Sequence, residues 1–144
     1  MKWWEIVNSP VSITAISMLW GSIAASWITF MWQKRAQRHA ARVECAQTIV
    51  AGYQEYVRLL RGKPEGLDGK EFDSLHVRML SQTKIAAVLF RDKRVGIEWR
   101  SALDRLATVR GLRLAGREDS VEEKMDGVYQ IASGATERMF KEIS

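Results

Sequence analysis

A stretch of 22 residues without one charged side chain, from Val11 to Trp32, limits how this chain can fold more than any other feature. An α-helix of that length, rising ~1.5 Å per residue, extends about 33 Å, which is enough for a bilayer hydrocarbon core of about 30 Å. The stretch therefore predicts a transmembrane helix over residues 11–32, preceded by a short leader over residues 1–10.

The basic residues after this stretch predict its orientation. The ten positions that follow Trp32 contain four of them: Lys34, Arg35, Arg38 and Arg42. Because positive charge is retained on the cytoplasmic side, we expect the N-terminus outside and residues 33–144 in the cytoplasm, with the basic block contacting anionic headgroups. A signal peptide cleaved near Ala24 to Ser26 is disfavoured, since the apolar run exceeds the usual length of roughly 7 to 15 residues.

The predicted membrane helix has two different faces. At ~100° per residue, bulky side chains such as Trp20 and Trp27 share one face, and small side chains share the opposite arc. The small residues that we assign to helix packing or to a pore lining are Ser17, Gly21, Ser22, Ala25, Ser26 and Thr29. Small residues four positions apart let a second helix approach closely, which predicts association in the membrane. The alternative is an ordinary anchor whose hydroxyls bond their own backbone.

The composition argues against an enzyme. Of the 144 residues, 112 follow Trp32, which is enough for one small domain. The single cysteine, Cys45, excludes an internal disulfide and suits a reducing compartment. His39 and His76 have no second ligand at metal spacing, and no phosphate-binding loop is complete. We therefore predict no catalytic residue, no cofactor and no metal site.

The membrane helix is expected to continue into the cytoplasmic part as far as Arg61, because no proline or glycine lies between Gly21 and Gly52. Beyond the basic block, apolar residues alternate at spacings of three and four, which predicts a buried seam that needs a partner helix. The seam consists of Val43, Ala46, Val50, Tyr53, Val57 and Leu60. Glycine-rich sequence with one proline, between Gly62 and Lys70, then predicts a loop.

Three shorter helices are predicted after the loop. The second helix covers roughly residues 71–90, the third begins with Asp92 as its N-cap, and the fourth begins with a Ser120–Glu123 capping box. Their predicted buried positions are Phe72, Leu75, Met79, Ala86 and Leu89, then Val95, Trp99, Ala102, Leu106 and Val109, and finally Met125, Val128, Ala132, Ala135 and Met139. The expected fold is all-α: one N-terminal transmembrane helix continuing into an antiparallel bundle of about four helices.

Charge is divided unevenly between the last two helices. Residues 91–117 contain eight basic and three acidic residues, whereas residues 118–144 contain three basic and seven acidic ones. These opposite net charges favour antiparallel packing of the two helices within one chain, or head-to-tail assembly of several chains. A nucleic-acid site is disfavoured, since the aromatic residue of the basic helix, Trp99, lies on its apolar face rather than among the arginines.

The order of elements resembles that of small membrane accessory proteins of bacterial anti-phage loci, including those beside type VI CRISPR nucleases. In those proteins, as predicted for this chain, a single N-terminal span leads into a small arginine-rich helical domain. The string RDKRVGIEWRSALDRLA at residues 91–107 also looks like helices of membrane-anchored bacterial domains. The resemblance implies a bacterial cytoplasmic membrane and an oligomer that forms or regulates a pore during infection. It transfers no functional residue.

Two functions are compatible with these features. The leading hypothesis is a non-enzymatic single-pass membrane protein that self-associates through its span and its helical domain, with a pore-forming or membrane-perturbing defence effector as one version. The alternative is an accessory or scaffold subunit that docks a larger membrane complex or a cytoplasmic partner. The expected partners are membrane lipid and either further copies of the chain or a heterologous membrane protein.

Overall fold

Four α-helices make up the described part of the chain. The computed structural model describes residues 10–63 and 69–144, and at positions 10–13, 15 and 16 it describes the backbone alone. The helices are α1 (Pro10–Arg61), α2 (Lys70–Leu89), α3 (Arg94–Leu114) and α4 (Val121–Ile143), with a 3₁₀ turn at Glu118–Ser120. No strand occurs among these residues, which confirms the all-α prediction. The predicted leader, apart from Pro10, and the middle of the predicted loop lie outside the described residues.

α1 belongs to two compact units, which divide between Arg38 and His39. In the first unit, eight large apolar side chains between Met18 and Trp32 are exposed, with Trp20 exposed at 69%. Within the described part of the chain, no helix combines the length and the apolarity that crossing a membrane requires. The predicted transmembrane helix over residues 11–32 is therefore not confirmed.

The second unit, His39–Ser144, encloses one apolar core. All predicted core positions of α3 and α4 are buried, and those of α2 are buried except Leu89, which is half-buried. In the core, the Tyr56 ring of α1 meets the Phe72 ring of α2 edge to face, with ring centroids 4.9 Å apart. The core positions of the three short helices are predicted well because, on each of them, the longest series of apolar residues at helical spacing is the one that faces the core.

The seam predicted on α1 is only in part the core face of that helix. Four of its six residues are half-buried: Val43, Val50, Tyr53 and Val57. The core face instead includes Ile49 and Tyr56, which are fully buried, and Gly52, which packs against the Met79 side chain of α2. The predicted seam is centred on the wrong side of the core face of α1. The reason is that α1 is apolar on two neighbouring stripes, and spacing alone does not show which stripe faces the core.

The starts of α3 and α4 differ from the predicted caps. Ser120 makes no side-chain capping bond, so the predicted Ser120–Glu123 capping box is wrong. At the start of α3 the cap position is Lys93 rather than Asp92. The Asp92 carboxylate still accepts the backbone N–H of Arg94 at 3.0 Å. That bond, reinforced by the Arg138 guanidinium, holds the pKa of Asp92 below its usual range.

α2 and α3 come into close contact at Gly96. A Cβ at this position would lie 2.6 Å from the Ala87 Cβ and 2.9 Å from the Ala87 Cα. Neither atom can move away by a change of rotamer, because both are fixed to the α2 backbone. Gly96 therefore sets how near these two helices can lie.

We expect Gly96→Ala to lower the free energy of unfolding by about 1–3 kcal/mol, because the added methyl group would push α2 and α3 apart. The matched control is Gly111→Ala on the same helix, where a Cβ would meet nothing within 4 Å. There the higher helix propensity of alanine should stabilise the protein by up to ~1 kcal/mol. Denaturation of the full chain followed by circular dichroism measures both changes. Equal effects of the two substitutions would contradict close packing at Gly96.

Candidate helix-docking groove

A groove runs along the bundle between α1 and α4. Three adjoining hollows form it, with volumes of about 310, 630 and 420 Å³. Neighbouring hollows share lining residues, which are Val50, Gln54 and Phe140 in one case and Tyr53, Gln54 and Tyr129 in the other. The α1 wall extends from Val43 to Arg61, which is about 27 Å at the helical rise per residue. The length suits a docked helix of about 18 residues.

Two aromatic side chains, Tyr53 and Trp99, line the hollow of about 630 Å³, which lies between the other two. The rings of Tyr53 and Trp99 meet edge to face, with centroids 5.6 Å apart. The Tyr53 hydroxyl and the Trp99 Nε1 atom are both buried, and neither has a hydrogen-bond partner among the described residues. Burial, assisted by nearby Tyr129, raises the pKa of Tyr53 to about 12, so its hydroxyl remains protonated at neutral pH. Both groups are therefore buried donors that have no acceptor among the described residues of the single chain.

Phe140 stands at the rim of this groove with 55% of its surface exposed, although its neighbour Met139 is fully buried. The ring borders the 310 Å³ hollow, whose other apolar lining residues include Val43, Val50 and Ile143. An exposed aromatic side chain and an apolar hollow thus lie side by side on one face of the bundle.

The chemistry of the groove suits binding of a helix. Its polar lining residues include the uncharged Gln47, Gln54 and Ser133, and its charged ones are Glu137 and, at the far end, Arg58 and Arg61. A mostly apolar channel with a few polar groups on its rims is typical of sites that hold the apolar face of an amphipathic helix. The predicted seam residues Val43, Ala46, Val50, Tyr53 and Val57 all line it. The sequence pattern thus found the α1 wall, but it did not find Phe140, Tyr129 or the role of Trp99.

The small residues predicted to pack or to line a pore lie in the first unit, where all six are exposed. The Ser17 hydroxyl donates to the Thr14 carbonyl at 2.9 Å, and the Thr29 hydroxyl donates to the Ala25 carbonyl at 2.9 Å. These two bonds favour the alternative in which the hydroxyls are satisfied by their own helix. A pore lining remains a prediction.

The basic block divides into two kinds of residue. Lys34, Arg35 and Arg38 are exposed, and the Lys34 ammonium lies 5.9 Å from the centroid of the Phe30 ring. Arg42 is tied into the bundle instead, because its Nε donates to the Leu89 carbonyl at 2.8 Å. Headgroup contact therefore remains a prediction, with Arg42 already engaged within the chain.

The charges of α3 are distributed around the bundle rather than along one stripe. Arg100 pairs with Asp104 on the same helix, and Arg113 lies 3.5 Å from Glu118. The direct pair between α3 and α4 has the opposite polarity to the net charges, since Arg138 of α4 lies 3.2 Å from Glu98 of α3. Net charge is therefore a poor guide to how these two helices are held together.

Both histidines lie within hydrogen-bonding distance of partners in the bundle. His39 Nε2 lies 3.0 Å from the Ile143 carbonyl oxygen, and His76 Nδ1 lies 3.3 Å from the Tyr56 hydroxyl. Within the described ranges, no three His, Cys, Asp or Glu residues are placed to hold a metal ion.

A second cleft, of about 880 Å³, is lined by Arg61, Arg113 and four acidic residues. Arg113 bridges part of it by its contacts with Glu118 and with the Gly62 carbonyl.

No protein-family model matches the sequence, and neither does any curated protein or solved structure.

We expect Tyr53→Phe to raise the free energy of unfolding of the single chain by about 1 kcal/mol, because it removes a buried hydroxyl that has no partner. The matched control is Tyr56→Phe, which removes a hydroxyl that lies 3.3 Å from His76 Nδ1. That substitution should lower the free energy of unfolding by about 1 kcal/mol. Denaturation at high dilution measures both, and a loss of stability in Tyr53→Phe would contradict the assignment of an unpaired hydroxyl.

Proposed function

We propose that this chain is a non-enzymatic membrane protein, held by residues 11–32, whose copies associate through the groove between α1 and α4. The observation that carries the proposal is the exposed Phe140 ring beside an apolar hollow of about 310 Å³. An interface between identical subunits related by a twofold axis requires a surface that is complementary to itself. A protruding ring next to a hollow on the same face meets that requirement.

The positions of the Phe140 ring and of the apolar hollow along the bundle favour a second copy of the chain as the occupant of the groove. Phe140 borders the same hollow as Val43 and Val50, so ring and hollow lie at one height along α1. A twofold axis parallel to α1 would bring each ring onto the hollow of the other copy. Two chains held in one membrane with the same orientation could adopt this arrangement, and sharing a membrane would raise their effective concentration.

The polar groups of the groove fit the same occupant. Gln47 and Gln54 are exposed on the α1 rim, and each amide carries both an acceptor oxygen and a donor nitrogen. In a second copy these amides would reach the groove from the facing rim. They could then pair with polar side chains on the rim of the other copy, such as Ser133 and Glu137.

The membrane part of the proposal rests on the first unit. Its exposed side chains include Trp20, Ile23 and Trp27, and no charge interrupts residues 11–32. A helix that lies on the membrane surface has a strongly polar or charged face, which this segment lacks. Since no described helix has the apolarity required for crossing, the depth of insertion is the first point for experiment.

Self-association is tested by light scattering of the full chain in detergent, with Phe140→Glu and Val77→Glu as a matched pair. Both side chains are apolar and exposed, at 55% and 65%, but Val77 lies on α2, away from the groove. Burying a phenylalanine contributes about 1.5–3 kcal/mol, and a twofold interface buries one from each copy, so Phe140→Glu should raise the dimer dissociation constant about 10²- to 10⁴-fold. Val77→Glu should leave that constant unchanged.

Two results would contradict the groove assignment. One is an equal effect of both substitutions, which would indicate general surface apolarity. The other is an oligomer that survives Phe140→Glu but is lost in the double variant Gly21→Leu, Ser22→Leu, which would place association in the uncharged segment alone. A monomer in every variant, isolated from native membranes with one stoichiometric protein, would favour an accessory subunit.

Membrane insertion is tested by Ile23→Lys, with Val77→Lys as the matched control. Ile23 lies near the centre of the uncharged segment, and a lysine at the centre of a membrane helix costs about 2.5–3.5 kcal/mol by insertion measurements. The fraction of protein that floats with vesicles after alkaline carbonate washing should fall for Ile23→Lys alone. Complete release of the unaltered chain by carbonate would contradict insertion and favour a helix covered by protein.

A further inference from the structure

The corner between α2 and α3 carries three outward basic residues. Arg91, Lys93 and Arg94 are all exposed, and they occupy four consecutive positions with Asp92 among them. Two apolar side chains flank them: Val88, exposed at 83%, and Ile97, exposed at 68%. Because Gly96 packs on Ala87, the next residues along each helix belong to one corner. We call Val88, Arg91, Lys93, Arg94 and Ile97 the basic corner.

The acidic groups near this corner are engaged on its inner side. Glu142 of α4 accepts the backbone N–H groups of Arg91 and Asp92, at 2.8 and 2.6 Å. Asp92 Oδ2 and Glu98 Oε1 each lie 3.2 Å from the Arg138 guanidinium. These contacts fix the corner to α4 and direct its carboxylates inward, so the outward surface is positive.

The corner is at the end of the bundle where the chain enters from residue 38. His39 lies beside the Ile143 carbonyl, and Arg42 bonds the Leu89 carbonyl just before the corner. His39 follows Trp32 by seven residues in the sequence. A membrane that holds residues 11–32 would therefore be connected to this end of the bundle by a short, basic stretch.

We propose that the basic corner binds the headgroups of anionic phospholipids, with Val88 and Ile97 entering the headgroup layer. Arginine and lysine near an anionic membrane surface are each attracted to it, and exposed apolar side chains between them gain from leaving water. The inference rests on the proposed membrane placement and adds a second contact, made by residues distant in sequence from the basic block.

The test uses the full chain in lipid nanodiscs, labelled with an environment-sensitive fluorophore through Ile97→Cys. The native Cys45 is buried and is replaced by alanine to prevent a second label. Nanodiscs of phosphatidylcholine alone are compared with nanodiscs that also contain phosphatidylglycerol. The matched control is a label at Val77→Cys, which is equally apolar and exposed but lies on α2, outside the corner.

We expect a blue shift of the Ile97 label in the anionic nanodiscs, no shift of the Val77 label, and loss of the shift in the triple variant Arg91→Gln, Lys93→Gln, Arg94→Gln. A charge-retaining variant, Arg91→Lys with Arg94→Lys, should keep the shift, and raised salt should reduce it. Soluble inorganic phosphate at equal ionic strength should not reverse it, because the site is assigned to a membrane surface.

The failures of the two proposals are distinguishable. If the unaltered chain does not float with lipid, membrane placement fails and the corner proposal fails with it. If the chain inserts but the Ile97 label responds equally in both lipids, or the triple glutamine variant keeps the shift, only the corner proposal is overturned.

Discussion

α1 carries apolar side chains on more of its surface than the core of the bundle covers. One stripe, which includes Ile49 and Tyr56, is fully buried in the core. The neighbouring stripe, which includes Val50 and Val57, is only half-buried and forms a wall of the groove. Apolar surface left in water costs ~25 cal/mol per Å², so a helix with this pattern favours any partner that covers the second stripe.

The predictability of the helices differed for a physical reason. For α3 and α4 most apolar residues recur on one stripe, and every predicted core position, from Val95 to Met139, is buried. α1 has two apolar stripes, and which of them is buried in the core depends on the side from which α2 approaches. That contact is set by Gly52 against Met79, a close approach that a hydrophobic pattern does not encode. The groove was likewise beyond sequence reasoning, because Trp99 comes from a third helix.

Individual ion pairs, rather than net charge, describe the electrostatic contacts between α3 and α4. The difference in net charge between the last two helices predicted an attraction of basic α3 for acidic α4. The pairs that form near their contact instead use Arg138 of α4 with Asp92 and Glu98 on the α3 side. Ion pairs act over a few ångströms and exposed pairs contribute about 0.2–1 kcal/mol, so position outweighs net charge. The outward basic corner exists because these inner pairs engage the nearby carboxylates.

Burial and ion pairing account for the perturbed titratable groups of the bundle. Burial raises the pKa of Cys45, Tyr53 and Tyr56, and arginine contacts lower the pKa of Glu55. A phenol with its pKa near 12 is a fixed hydrogen-bond donor at neutral pH. Tyr53 therefore adds no charge to the groove, which suits the apolar face of a docked helix.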